Sequence, residues 1–83
     1  MEYDILFSEE AESQLKNLDN ATVERILKKI MDSSKDPKHF FERLTGREEY
    51  KLRMGDWQVI AKIIHSEKKI FVISIGHRKN VYR

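Results

Sequence analysis

The chain has 83 residues, of which 36% are charged and 40% apolar, a composition typical of one small soluble domain. It contains no cysteine, which excludes disulfides, thiolate metal sites and cysteine nucleophiles, and its three histidines lack metal-site spacing. No apolar run approaches the roughly 20 residues of a membrane span, and the first residues are acidic where a signal peptide is basic. We therefore expect a single cytoplasmic domain over residues 1–83, away from membranes and without a cofactor or metal.

Charge is unevenly distributed along the chain, although the net charge is only +2. Residues 1–41 contain six Lys or Arg and nine Asp or Glu, whereas residues 42–83 contain ten and five. A basic half on a nearly neutral domain suggests a local anionic ligand such as a nucleic-acid backbone. The same residues are also ordinary on a solvated strand, so charge alone leaves both interpretations open.

The N-terminal residues predict a strand followed by a helix. Apolar and polar residues alternate at the start, which is typical of a strand whose core side is formed by Tyr3, Ile5 and Phe7. Ser8 is a suitable helix cap, and Glu9 and Glu10 in the first turn favour the positive end of the helix dipole. The apolar face of this helix consists of Ala11, Leu15 and Leu18.

A second amphipathic helix is predicted after a break at Asp19 and Asn20, either of which can cap it. Its apolar face follows helical spacing through Val23, Ile26, Leu27, Ile30 and Met31. The helix is expected to end at Ser33 and Ser34, before Pro37. Residues 38–49 predict no firm element, but we expect Phe40, Phe41 and Leu44 to fill the core.

The second half of the chain predicts three strands. Tyr50, Leu52 and Met54 alternate with Lys51 and Arg53, so one face of this strand is apolar and the other carries two cations. The turn Gly55-Asp56 leads into a strand over 57–64, and a turn over 65–68 leads into a third strand. This last run, 70–75, is nearly all apolar, which favours a central strand covered on both faces and ended by Gly76.

The order of elements predicts an α+β fold, β-α-α-β-β-β, in which a helical hairpin packs on one face of a small, mainly antiparallel sheet. Each helix has a single apolar stripe, so the opposite face of the sheet is left for function. Lys51 and Arg53 point to that face, and Gln58 and Lys62 share its parity on the next strand. Further polar residues follow the last strand: Arg78, Lys79, Tyr82 and Arg83.

This set of residues is suited to phosphate chemistry carried out by cations. The sequence has no carboxylate pair, no Ser-His-Asp set and no Gly-rich phosphate loop followed by Lys-Ser/Thr. RNA supplies its own nucleophile, because its 2′-hydroxyl can attack the adjacent phosphorus and leave a cyclic phosphate and a 5′-hydroxyl. The protein must then hold the nucleotide in line and stabilise the charge of the transition state.

Three segments, 50–57, 71–78 and 81–83, resemble the toxins of the RelE/ParE superfamily, together with Ala11 and the stretch 15–18. Their shared features are the Gly-Asp-aromatic turn, Ile-Gly-His-Arg and a terminal Val-Tyr-Arg. The resemblance to RelE-type members implies a messenger-RNA interferase that cuts codons in the ribosomal A site by the 2′-hydroxyl route. It also implies a RelB-type antitoxin that wraps the toxin in a hetero-oligomer.

The resemblance assigns expected roles to individual positions. Lys51 and Arg53 match the basic pair of the strand, which the resemblance implies to supply a base or to stabilise the transition state. Arg78 matches a late arginine that stabilises charge or helps protonate the leaving group, and Tyr82 matches a tyrosine that stacks on or orients the nucleotide. His77 is a further candidate base, because histidine titrates near neutral pH. Expected RNA contacts come from Gln58, Lys62, Lys79 and Arg83.

Gln58 departs from the family pattern, because family members usually have an arginine at that position. A neutral amide forms weaker bonds to phosphate than a charged group, so lower turnover is expected. Two alternatives therefore stay open: a ParE-like inhibitor of DNA gyrase, and a weak toxin homologue that mainly binds its antitoxin.

Overall fold

The structure, a computed structural model, describes residues 2–77. The elements in chain order are β1 (Asp4–Phe7), α1 (Glu9–Lys16), α2 (Asn20–Ser33), α3 (Pro37–Phe40), β2 (Glu42–Arg43), β3 (Tyr50–Met54), β4 (Trp57–Ile64) and β5 (Lys69–His77). The predicted order is confirmed, with α3 and β2 as two short additions in the region that predicted no element.

Both long helices begin at the predicted side-chain caps. The Ser8 hydroxyl oxygen accepts a hydrogen bond from the Ala11 backbone at 3.0 Å and donates one to the Ile73 carbonyl at 2.6 Å. Asp19 accepts hydrogen bonds from the Thr22 hydroxyl at 2.6 Å and from the Thr22 backbone at 3.3 Å. The hydroxyl bond, more than the backbone bond, lowers the pKa of Asp19 below its usual 3.8. The caps thus join α1 to β5 and begin α2 where the hairpin turns.

The stretch after α2 differs in part from the prediction. Pro37 was expected only to end a helix, but it also begins one. It stands at the first position of α3, where its missing N–H costs no hydrogen bond. Phe41 is buried in the core as predicted, but Phe40 is 37% exposed. One helical turn cannot direct two adjacent side chains to the same side, so only one of them reaches the core.

The five strands form one sheet in the order β1-β5-β4-β3-β2. β1 pairs with β5 in parallel, and the other neighbours are antiparallel. The predicted turn between β3 and β4 is present, with Gly55 at a φ of 58°, a left-handed conformation that favours glycine. The register between β4 and β5 shifts between Ile60 and Ala61, which leaves Ile73 as an extra residue in β5.

One face of the sheet forms the core with α1 and α2. Its strand residues face one another across the ladders, and the buried set is Leu52, Val59, Ala61, Ile70, Val72 and Ile75. Ala11 from α1 and Ile26 and Ile30 from α2 complete this cluster. We call this the covered face, and the opposite side of the strands the open face.

The prediction that the last strand, β5, is covered on both faces is wrong. Phe71 of β5 is 37% exposed, because the helical hairpin packs on one side of the sheet only. β5 also continues past the predicted stop at Gly76 and includes His77, the last described residue. No helix of residues 2–77 is long and apolar enough to cross a membrane.

Candidate functional site

The strand register brings the predicted strand residues together on the open face. Arg53 pairs directly with Gln58, and Lys51 pairs with Ile60, which stands between Gln58 and Lys62 on β4. Residues two apart on a strand are about 7 Å apart, and diagonal cross-strand neighbours about 7–8 Å. Lys51 is therefore a neighbour of Arg53, Gln58 and Lys62, as the parity of the sequence predicts.

Lys51 is the most enclosed cation of this group. Only 14% of its side chain is exposed, and its ammonium group lies 3.7 Å from a carboxylate oxygen of Glu42. β2 places Glu42 directly opposite Lys51, whereas the Glu42 side chain itself is 76% exposed. A largely enclosed cation beside an exposed carboxylate can exchange that carboxylate for another anion, such as phosphate.

The sequence contains little that could have revealed Glu42. A two-residue strand shows no alternation, so neither β2 nor its pairing with β3 could be predicted from the pattern. An acidic residue in an unassigned stretch is ordinarily a surface residue. Only the pairing between β2 and β3 shows that Glu42 is a neighbour of Lys51.

Arg53 and Gln58 are directly paired but differ in access to solvent. Arg53 is exposed and can reach a ligand. Gln58 is 2% exposed and stands between Arg53 and Gly76 on the neighbouring strands. Gln58 therefore lies on the predicted face of the sheet, but its side chain is not exposed for contact with RNA.

His77 is not brought to the strand cations. It pairs with Trp57, and the two rings meet edge to face with centroids 5.4 Å apart. Trp57 in turn pairs with Met54, which shares the parity of the buried Leu52. His77 thus projects to the covered side at the end of the sheet, whereas Lys51 projects to the open face. The equal parity of Ile75 and His77 is the signal in the sequence that could have revealed this placement.

Four predicted site residues, Arg78, Lys79, Tyr82 and Arg83, lie outside the described residues. Their roles stay predictions. Residues 2–77 contain no group of three or more histidine, aspartate or glutamate side chains that could hold a metal ion.

Large apolar side chains lie on the open face next to the cations. Leu6, Ile64 and Phe71 are 46%, 41% and 37% exposed. Leu6 pairs with Phe71, and Phe71 pairs with Lys62 across β4. The open face therefore combines two strips. The apolar strip consists of Leu6, Phe71 and Ile64 on β1, β5 and β4, and the basic strip consists of Lys62, Lys51 and Arg53 on β4 and β3.

Comparison with known families agrees with this arrangement. The family described as the ParE toxin of type II toxin-antitoxin system, parDE, matches residues 5–82. The chain belongs to this toxin family. No match was found among curated proteins.

Solved structures of RelE toxins have the same fold as this toxin. The RelBE2 toxin-antitoxin complex of Mycobacterium tuberculosis matches at 17% identity and a TM-score of 0.84, covering 94% of this chain and 100% of that chain. A double arginine-to-alanine mutant of Escherichia coli toxin RelE in the free state matches at 23% identity and a TM-score of 0.81, covering 98% and 88%. That mutant in complex with an antitoxin RelBc peptide matches at 27% identity and a TM-score of 0.75, covering 93% and 84%. The predicted resemblance to the RelE/ParE superfamily is confirmed.

Proposed function

We propose that this toxin cleaves messenger RNA on the ribosome. The observation that supports the proposal is the grouping of Lys51, Arg53 and Lys62 on neighbouring positions of the open face. Such a group neutralises the phosphate backbone and holds a nucleotide against the sheet. The solved structures that share the fold are named as RelE toxins, which agrees with this assignment.

Cleavage proceeds without an external nucleophile. The 2′-oxygen loses its proton and forms a bond to the adjacent phosphorus, while the bond from phosphorus to the 5′-oxygen breaks. The 5′-oxygen takes up a proton from water as it leaves, so the products are a 2′,3′-cyclic phosphate and a 5′-hydroxyl. Arg53 and Lys51 stabilise the negative charge that grows on the phosphoryl oxygens, because cations positioned beside developing charge favour the transition state over the ground state.

The open face is also suited to the antitoxin partner of a type II system. Leu6, Ile64 and Phe71 offer apolar contacts beside Lys62 and Lys69, so an acidic amphipathic chain fits by both polarity and charge. Several structural relatives are themselves toxin-antitoxin complexes. In the cytoplasm, such a partner would cover the cations and keep the toxin inactive in a hetero-oligomer.

The decisive experiment is induced expression in cells, followed by mapping of 5′-hydroxyl transcript ends against the reading frame. We expect cuts at a constant position within codons, because the ribosome presents the message one codon at a time. Growth arrest with intact messages would contradict RNA cleavage.

Arg53→Ala is the matched test of the open face. We expect the cleavage rate to fall by about 10²–10³-fold, the usual loss when one group that stabilises transition-state charge is removed. Arg25→Ala is the control, because Arg25 is an exposed arginine on α2, away from the open face. Equal activity of both variants, with both folded by circular dichroism, would contradict the assignment.

Inhibition of DNA gyrase is the second candidate, and the match of residues 5–82 to the ParE toxin family favours it. A supercoiling assay with purified gyrase separates the two functions. Loss of supercoiling with messages left intact would support the gyrase inhibitor. A homologue that only binds its antitoxin would affect neither target and would not arrest growth.

A further inference from the structure

Among residues 2–77, the open face groups three candidate cations, Lys51, Arg53 and Lys62, whose side chains are poor proton acceptors. Lysine and arginine side chains carry their protons at neutral pH. His77, the histidine expected to act as a base, projects to the covered side beside Trp57. Cleavage by 2′-hydroxyl attack nevertheless requires that a proton be removed from that hydroxyl.

Glu42 lies where such an acceptor is needed. Its carboxylate oxygen is 3.7 Å from the Lys51 ammonium group, and its side chain is 76% exposed and therefore free to turn. The pairing with Lys51 across the β2–β3 ladder holds the backbone of Glu42 at the edge of the basic strip. A glutamate side chain is ionised at neutral pH and can accept a proton.

Three other carboxylates of residues 2–77 are less well placed. Asp4 has open-face parity, but it lies on β1, which is separated from β3 by β5 and β4, roughly 14 Å at the usual strand spacing. Glu67 is ion-paired with Lys69 at 3.4 Å, beside the turn between β4 and β5. Glu49 is bonded to Arg47 at 3.0 Å.

We propose that Glu42 is the general base of the RNA cleavage reaction, a role that rests on the proposed function. A phosphate of the RNA replaces the Glu42 carboxylate at the Lys51 ammonium group. The freed carboxylate stays within reach of the bound ribose and takes the proton of the 2′-hydroxyl as the 2′-oxygen bonds to phosphorus.

The bond from phosphorus to the 5′-oxygen then breaks, and the leaving oxygen takes a proton from water. The resulting hydroxide is neutralised by the proton that Glu42 holds. The carboxylate returns to Lys51 when the product leaves, so the protein ends the cycle unchanged.

The test measures cleavage and binding separately on messages bound to ribosomes. Single-turnover cleavage is followed at saturating toxin, and binding is measured with a message that carries a 2′-deoxy nucleotide at the cut site. We expect Glu42→Gln to lower the cleavage rate by about 10²–10⁴-fold, the usual contribution of a general base. Binding should be unchanged or tighter, because the variant removes a negative charge that competes with phosphate for Lys51. Glu42→Asp should restore part of the rate.

Glu67→Gln is the matched control, because Glu67 is also an exposed glutamate ion-paired with a strand lysine. Its rate should equal that of the wild type. A faster rate in Glu42→Gln would overturn the proposal, since it would mean that the carboxylate only masks Lys51. An unchanged rate would overturn it as well. A wild-type toxin that leaves messages intact would instead overturn the proposed function itself.

Discussion

The two faces of the sheet are built from alternate residues of the same strands, but one face packs in the core and the other is open to ligands. On β3, Leu52 is 2% exposed against the helices, whereas its neighbour Arg53 faces solvent. The covered face is apolar, and its burial depends on the packing of α1 and α2 against it. The open face keeps cations and large apolar side chains accessible, which costs stability but leaves a surface that can bind. Each face can therefore be changed without directly altering the other.

The largest expected effect on stability is on the covered face. Leu52→Ala should lower the free energy of unfolding by about 2–5 kcal/mol, because it leaves a cavity among buried strand residues. This is a large part of the roughly 4–12 kcal/mol expected for a domain of this size. Urea denaturation followed by circular dichroism measures it.

Leu6→Ala is the matched change on the open face, because Leu6 is 46% exposed. We expect it to cost about 1 kcal/mol or less. Equal losses in the two variants would show that the open face is as tightly packed as the covered one.

An intermediate effect is expected at the point where α1 meets β5. Ser8→Ala removes the cap of α1 and the hydrogen bond to the Ile73 carbonyl, and should cost about 1–2 kcal/mol. For a domain of this size, 1 kcal/mol corresponds to a fall in Tm of roughly 4–8 °C. Ser8→Thr keeps the hydroxyl group and should restore most of the Tm. An unchanged Tm in Ser8→Ala would mean that packing alone positions the helical layer.

The smallest expected effect is the pH dependence of the α2 cap. The hydrogen bond from the Thr22 hydroxyl lowers the pKa of Asp19 in the folded state, so the ionised carboxylate stabilises the fold above pH 3.8. This contribution is lost as the pH falls from 3.8 through the lowered pKa. Thermal unfolding across this range should show the wild-type advantage over Asp19→Asn shrinking with falling pH. Thr22→Val should lose less stability than the wild type over the same fall in pH. If Asp19→Asn and Thr22→Val both lost as much stability as the wild type, the pH dependence would belong to another group.

Periodic patterns explain why much of this fold could be predicted. The strands around Gly55-Asp56 and the two capped helices have enough residues to show spacings of two or of three and four. α3 and β2 have four and two residues, too few to show either spacing. For that reason Phe40 was wrongly assigned to the core, and Glu42 was not found as a neighbour of Lys51.

The candidate site divides in the same way. Side-chain parity alone assigned Lys51, Arg53, Gln58 and Lys62 to one face, and the register confirms that assignment. Parity does not determine burial, however, so the enclosed position of Gln58 was not expected. The predicted end of the last strand at Gly76 also hid the parity that places His77 on the other side.

The sequence by itself determined which residues alternate, which cap helices and which cations share a face, because these depend on neighbours a few positions apart. Only the tertiary structure decided that Glu42 stands beside Lys51, that Gln58 is buried and that Phe71 is left exposed. Those outcomes depend on strand pairing and helix packing between residues distant in the chain, which no local pattern encodes.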